Sequence, residues 1–154
     1  MFTIEVVRLL SHQRHDFLNH LQVVSGFLDL GQPQKASVYL QEVLKEIDAE
    51  REIFKAYEPE VALLLYVLLV QAREQGVAVR YDNVNLSPAQ DLTVIMEKSL
   101  ARMKNVWYEV GKEHGETEAE VSIAAVGEGI VFRVRPRGQN PLEFMVTGGG
   151  AGVR

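Results

Sequence analysis

Three histidines fall within nine residues near the start of the chain, in "LSHQRHDFLNHL" (10–21), interleaved with Arg14, Asp16 and Asn19. Three kinds of chemistry fit such a cluster. The histidines can be ordinary polar decoration of a helix. His12 and Asp16, four apart, can share a zinc ion, although catalytic zinc helices favour two histidines four apart with an interposed glutamate, and this stretch spaces its histidines three and five apart. The third reading is a phosphoacceptor. A neutral imidazole, whose ordinary pKa is about 6.5, is a competent nucleophile near neutral pH. In that reading His15 attacks, Asp16 orients the ring or stabilises its cationic form, and Arg14 offsets phosphate charge. Asn19, one helical turn on, hydrogen-bonds the phosphoryl group or a water.

The elements that must hold these residues can be read from apolar spacing. Residues 4–30 contain no proline, and Leu10, Phe17, Leu21, Val24 and Leu28 recur at a 3–4 spacing. That pattern predicts a long amphipathic helix with a coiled-coil-like seam. At about 100° per residue, His12, His15, Asp16 and Asn19 then point away from the seam or to its flank. "LGQPQ" (30–34) stops this helix at Gly31 and restarts a second one at Pro33. The second helix runs over 34–56 with Val38, Leu40, Val43, Leu44, Ile47 and Phe54 as its apolar positions. A hairpin of two such helices cannot bury its seam alone, so a four-helix bundle made from two chains is expected.

A different pattern begins near 55–59. "YEPEVALLLYVLLVQAREQG" (57–76) reads as a helix opened by Pro59 and stopped by Gly76. "VAVRYDNV" (77–84) alternates as a strand does. A helix follows from Ser87 and Pro88 to about Gly111. "EAEVSIAAV" and "GIVFRVRPRG" form a hairpin turning at "GEG" (127–129), and "LEFMV" (142–146) supplies one more strand. The fold class is therefore α+β: a helical hairpin over 1–56, then a small α+β layer over 57–154.

Composition narrows the function classes. The 154 residues are 47% hydrophobic and 24% charged, with net charge -5 and no cysteine. The acidic balance gives no support to a nucleic-acid partner. The absence of cysteine removes disulfides, thiol nucleophiles and thiolate metal sites. The start lacks the pattern of a secretory signal, and the longest apolar run, 61–70, is too short to span a bilayer. A cytoplasmic protein without a membrane partner is expected.

The order Arg14-His15-Asp16-Phe17, then Asn19, Leu21 and Gln22, within "LLSHQRHDFLNHLQVVSGFLDLGQ" (9–32), resembles the phosphoacceptor hairpin of the sporulation initiation phosphotransferase B family. It is also similar to the dimerisation helices of citrate/fumarate-type sensor histidine kinases. The resemblance extends through "GQPQKASVYLQEV" and more loosely over the later half. It implies a homodimeric four-helix bundle followed by a domain related to histidine-kinase ATPase domains. It also implies a phosphohistidine at His15, proton handling at Asp16 and a polar supporting role for Asn19. The partners implied are response-regulator receiver domains, which bring their own Mg²⁺; this chain alone is expected to hold no cofactor or metal.

Kinase ATPase domains use paired asparagines on a helix, an Asp-x-Gly-x-Gly loop and a glycine-rich lid. Here the helix over 89–110 offers Asn105 without an Asn-x-x-x-Asn-Ala run, no Asp-x-Gly-x-Gly occurs, and "GGGAG" (148–152) is the one stretch resembling a lid. The companion domain is thus expected to be a degenerate ATPase-like layer. Val23, Phe27 and Leu30 suggest an apolar docking strip beside His15. Two alternatives stand beside a histidine phosphotransferase: a degenerate or truncated sensor kinase, and a non-catalytic dimeric module that inhibits a kinase or receiver.

Overall fold

A computed structural model describes residues 2–86, 92–112 and 116–148. The chain divides into two compact units, residues 1–56 and 57–154.

The first unit is a helical hairpin. Helix α1 spans Phe2–Asp29 and α2 spans Pro33–Ala56. Their junction follows from one glycine. Gly31 takes φ +68°, a left-handed conformation that only glycine adopts without strain. The amide of Gly31 donates to the Leu28 carbonyl and that of Gln32 to the Phe27 carbonyl, closing α1 with paired bonds that satisfy its last carbonyls. Gln32 then receives the amide of Ala36 as α2 begins, with Pro33 in its first turn, where a missing N–H costs nothing. Leu30 therefore belongs to the turn and not to the helix.

The second unit starts with α3 (Pro59–Glu74), followed by strand β1 (Val77–Asn85), helix α4 (Leu92–Gly111) and strands β2 (Thr117–Val126), β3 (Gly129–Pro136) and β4 (Leu142–Thr147). Among the described residues these strands form one sheet in the order β1-β2-β3-β4. β1 and β2 are parallel, as a connection through α4 requires, and β2-β3-β4 are antiparallel. The β2–β3 loop places Gly127 at φ +57°, the geometry of a two-residue hairpin turn, so "GEG" serves the turn. The α+β class expected from the element order is what the structure has. The start of the helix expected from Ser87 and Pro88, and the glycines of "GGGAG" after Gly148, lie outside the described residues.

One face of the sheet is packed. Val121, Ile123, Ile130, Phe132 and Val134 are buried in alternation, together with Leu64, Leu65 and Leu68 of α3 and Met103 and Trp107 of α4. Nearly every residue of α3 between Val61 and Ala72 is buried, as an all-apolar helix must be in water. Tyr81 of β1 donates its hydroxyl to the Leu65 carbonyl, which ties strand to helix. The open face carries charge: Glu120 pairs with Arg80 on one side and Arg135, 3.5 Å away, on the other. The β1-β2-β3 register sets these three residues abreast. Such cross-strand pairs keep an uncovered face soluble.

Candidate functional site

The hairpin decides where every member of the histidine cluster points. His20 Nδ1 lies 2.6 Å from the Tyr39 hydroxyl of α2, and the Phe27 ring centroid is 6.4 Å from that of Tyr39. Leu9 is buried. At about 100° per residue, Leu9, His20 and Phe27 fall within about 20° of one another and mark the line along which α1 meets α2. His20 and Tyr39 therefore belong to the helix–helix contact. Helical spacing alone did not reveal this, because neither residue is apolar enough to register in a hydrophobic pattern.

The seam drawn from the sequence lies elsewhere. Leu10, Phe17, Leu21 and Leu28 are all more than half exposed, and they sit about 100° around α1 from the contact line. On α2, Ala36 and Val43 are buried while Leu40, Leu44, Ile47 and Phe54 are exposed. This second stripe lies about 60° around α2 from its own contact residues, in the same rotational sense along the chain. In an antiparallel pair, equal sense on both helices means the same side of the hairpin. The two stripes thus form one broad apolar face.

His15 is exposed on neither of these surfaces. It lies about 120° from the α2 contact line and about 140° from the apolar stripe, on the side turned away from both. Its immediate neighbour in space is Asn19, whose Nδ2 is 3.3 Å from His15 Nδ1. Arg14 is also exposed. Asp16 is half-buried, and its Oδ2 lies 3.3 Å from His12 Nε2. The carboxylate expected to orient His15 is therefore turned to His12 in this state. The reason is geometric: residues four apart on a helix are neighbours, whereas consecutive residues diverge. The cluster resolves into two i,i+4 pairs, His12–Asp16 and His15–Asn19. Among the described residues no three His, Cys, Asp or Glu side chains come together as a metal-ligand set.

The residues read as a docking strip fall within about 60° of one another around α1 and differ in exposure. Val23 is exposed on α1, Leu30 is exposed in the turn, and Phe27 is half-buried against Tyr39. Phe27 also lines a shallow depression with Gln34, Lys35, Val38 and Glu42. In the second unit Asn105 is exposed on α4. Among the described residues no helix is long and apolar enough to cross a membrane.

No curated protein matches the chain. Residues 2–56 match the family model described as "Sensor_kinase_SpoOB-type, alpha-helical domain", a span that coincides with α1 and α2 and contains every residue of the histidine cluster. Over that span, about a third of the chain, the protein is similar to SpoOB-type alpha-helical domains.

Proposed function

We propose that this protein is a histidine phosphotransferase of a phosphorelay, acting in sporulation control in the cytoplasm as a homodimer. The observation that carries the reading is the placement of His15. A residue that must meet a carboxylate on another protein has to stay in water after the hairpin has closed and after its apolar face has been covered. His15 lies clear of both surfaces. A second copy of the hairpin is the natural cover for the stripes of Leu10, Phe17, Leu21 and Leu28 and of Leu40, Leu44, Ile47 and Phe54. Four helices then share one core, and each buried side chain of this size contributes about 1.5–3 kcal/mol.

A phosphorylated receiver domain docks beside α1 with its aspartyl phosphate in line with the imidazole. The ring's unprotonated nitrogen attacks phosphorus, the bond to the aspartate oxygen breaks, and the electron pair leaves on the carboxylate. A second receiver reverses the sequence. Mg²⁺ comes with the receiver and offsets charge on the equatorial oxygens. Arg14 supplies positive charge from this chain. The rest is positioning on a stiff scaffold. Asp16 takes part if its contact with His12 opens. The second unit, without an Asp-x-Gly-x-Gly loop or paired asparagines, serves as a companion layer that does not need nucleotide.

Mixing the protein with a phosphorylated single-domain receiver tests this. Acid-labile, base-stable phosphate is expected on the protein and is expected to vanish in His15→Ala. Failure of the wild type to take up phosphate would overturn the proposal. The family description contains the words sensor kinase, which favours one further arm: label transferred to His15 from ATP without any receiver would assign a kinase instead. A partner effect that survives His15→Ala would assign a non-catalytic binding module.

A further inference from the structure

The two edges of the sheet are not alike. β1 is guarded as edge strands usually are: its register slips between Tyr81 and Asn83, and Arg80 and Asp82 put charge along it. β4 lacks these devices. It pairs with β3 from Leu142 to Thr147 without a slip, contains no proline, and has Glu143 as its single charge. Among the described residues no strand pairs with its outer side. Leu142 and Met145 are exposed along it. A row of outward N–H and C=O groups beside exposed apolar side chains is a template for one more strand. What that strand must carry is set by α4. Lys98 and Arg102, one turn apart on the helix, both reach over β4. Lys98 Nζ donates to the Thr147 carbonyl at 3.1 Å, and the Arg102 guanidinium lies 4.6 Å from the centre of the Phe144 ring, which stacks in turn on Phe132. Both cations are exposed, and among the described residues neither is paired with a carboxylate. A carbonyl and a ring hold these groups in place without neutralising them.

We propose that the β4 edge binds an extended acidic segment of another protein, which joins the sheet as a further strand and sets its carboxylates beside Lys98 and Arg102. Main-chain hydrogen bonds to β4 supply affinity and alternate side chains supply selectivity. Successive side chains of a strand face opposite sides, so the segment turns acidic residues toward α4 and apolar ones toward the open side, next to Met145. Charge decides against a second copy of this chain as the occupant. Two β4 strands paired about a two-fold axis would set Lys98 and Arg102 of one copy against the same cations of the other, and like charges brought together this way repel. An acidic segment instead neutralises them.

Titrating the full chain with a short labelled peptide that alternates glutamate with valine tests this. Fluorescence anisotropy reads the binding, and hydrogen exchange followed by NMR reads the β4 amides. The peptide should bind, and the outward amides of β4 should exchange more slowly in the complex. The same peptide with lysine in place of glutamate should not bind, nor should a glutamate peptide whose alternate amides are N-methylated, because it cannot complete the ladder. These two arms leave the protein unaltered. Lys98→Glu combined with Arg102→Glu should weaken binding about tenfold, the combined worth of two exposed ion pairs; both sites are exposed, and circular dichroism verifies that α4 is retained. No binding of the glutamate peptide overturns the proposal, as does equal binding of the lysine or N-methylated peptide, or binding that leaves β4 exchange unchanged. If the outward β4 amides are already protected in the protein alone, or become so as its concentration rises, the edge is covered by this chain or by a second copy, and the proposal is likewise overturned.

Discussion

Four polar side chains that look like one cluster in the sequence work as two separate pairs. Asp16 follows His15 directly, but its carboxylate contacts His12, and the ring of His15 is met by Asn19. The third histidine of the cluster, His20, has a structural partner in Tyr39. That bond joins α1 to α2 in a half-buried setting. His20→Phe and Tyr39→Phe should each lower the stability of the hairpin by about 1 kcal/mol, the usual net worth of such a bond. The double substitution should cost less than the sum of the two, because each single change already removes the shared contact. Denaturant unfolding of the four proteins measures the coupling. A zero coupling energy would remove His20–Tyr39 as a tie between the helices.

At the scale of elements, α1 and α2 each present two faces and spend only one on the other. Ala36 and Val43 are buried in the hairpin, while a stripe of leucines, an isoleucine and two phenylalanines stays in water. Phe17→Glu or Leu44→Glu should leave the helix content of the hairpin nearly unchanged, since both positions are already exposed. In a bundle of two chains each would bury a charge without a partner. Sedimentation velocity should show wild-type dimers and variant monomers. Variants that sediment as the wild type would mean that the apolar face is not the dimer contact. The turn between the helices is set by Gly31 at φ +68°, where nothing crowds an added Cβ but the backbone itself is strained for any other residue. Gly31→Ala should therefore destabilise the hairpin by about 1 kcal/mol, read as a lower midpoint of thermal unfolding.

Considered as a whole molecule, the two units differ in how complete they are. The 57–154 unit closes a core of its own between one sheet face and two helices, and it contains a group that reports on that closure. Burial, with a smaller contribution from Tyr57, pushes the Tyr81 phenol well above its ordinary value, and its proton is engaged with the Leu65 carbonyl. A folded pKa raised above the unfolded one means that this stabilisation is fully present below about pH 10 and is lost as pH rises further. There the unfolded chain releases a proton that the folded one retains. Stability should thus fall above about pH 10 more steeply in the wild type than in Tyr81→Phe, by up to about 1.4 kcal/mol per pH unit. Urea titrations at pH 9 and above measure the difference, and equal slopes would mean that Tyr81 is ordinary.

Much of this was legible in the chain. The 3–4 spacing from Leu10 to Leu28 gave the first helix, Gly31 and Pro33 gave the turn, and alternation in 118–126 and 129–136 gave a hairpin, because local periodicity and backbone strain are properties of short stretches. The order Arg14-His15-Asp16-Phe17 with Asn19 was enough to point at the SpoOB-type helical family. What the sequence left open was which neighbour each polar group faces. His20 read as a flanking polar residue until Tyr39, nineteen positions away, came within 2.6 Å. Asp16 read as the partner of His15 until the helix turned it to His12. The parallel pairing of β1 with β2, across a helix, was likewise invisible to alternation. Spacing along a chain fixes which face of an element a residue occupies; only packing decides what stands opposite that face, because the partner comes from elsewhere in the chain and its arrival is a matter of three-dimensional closure.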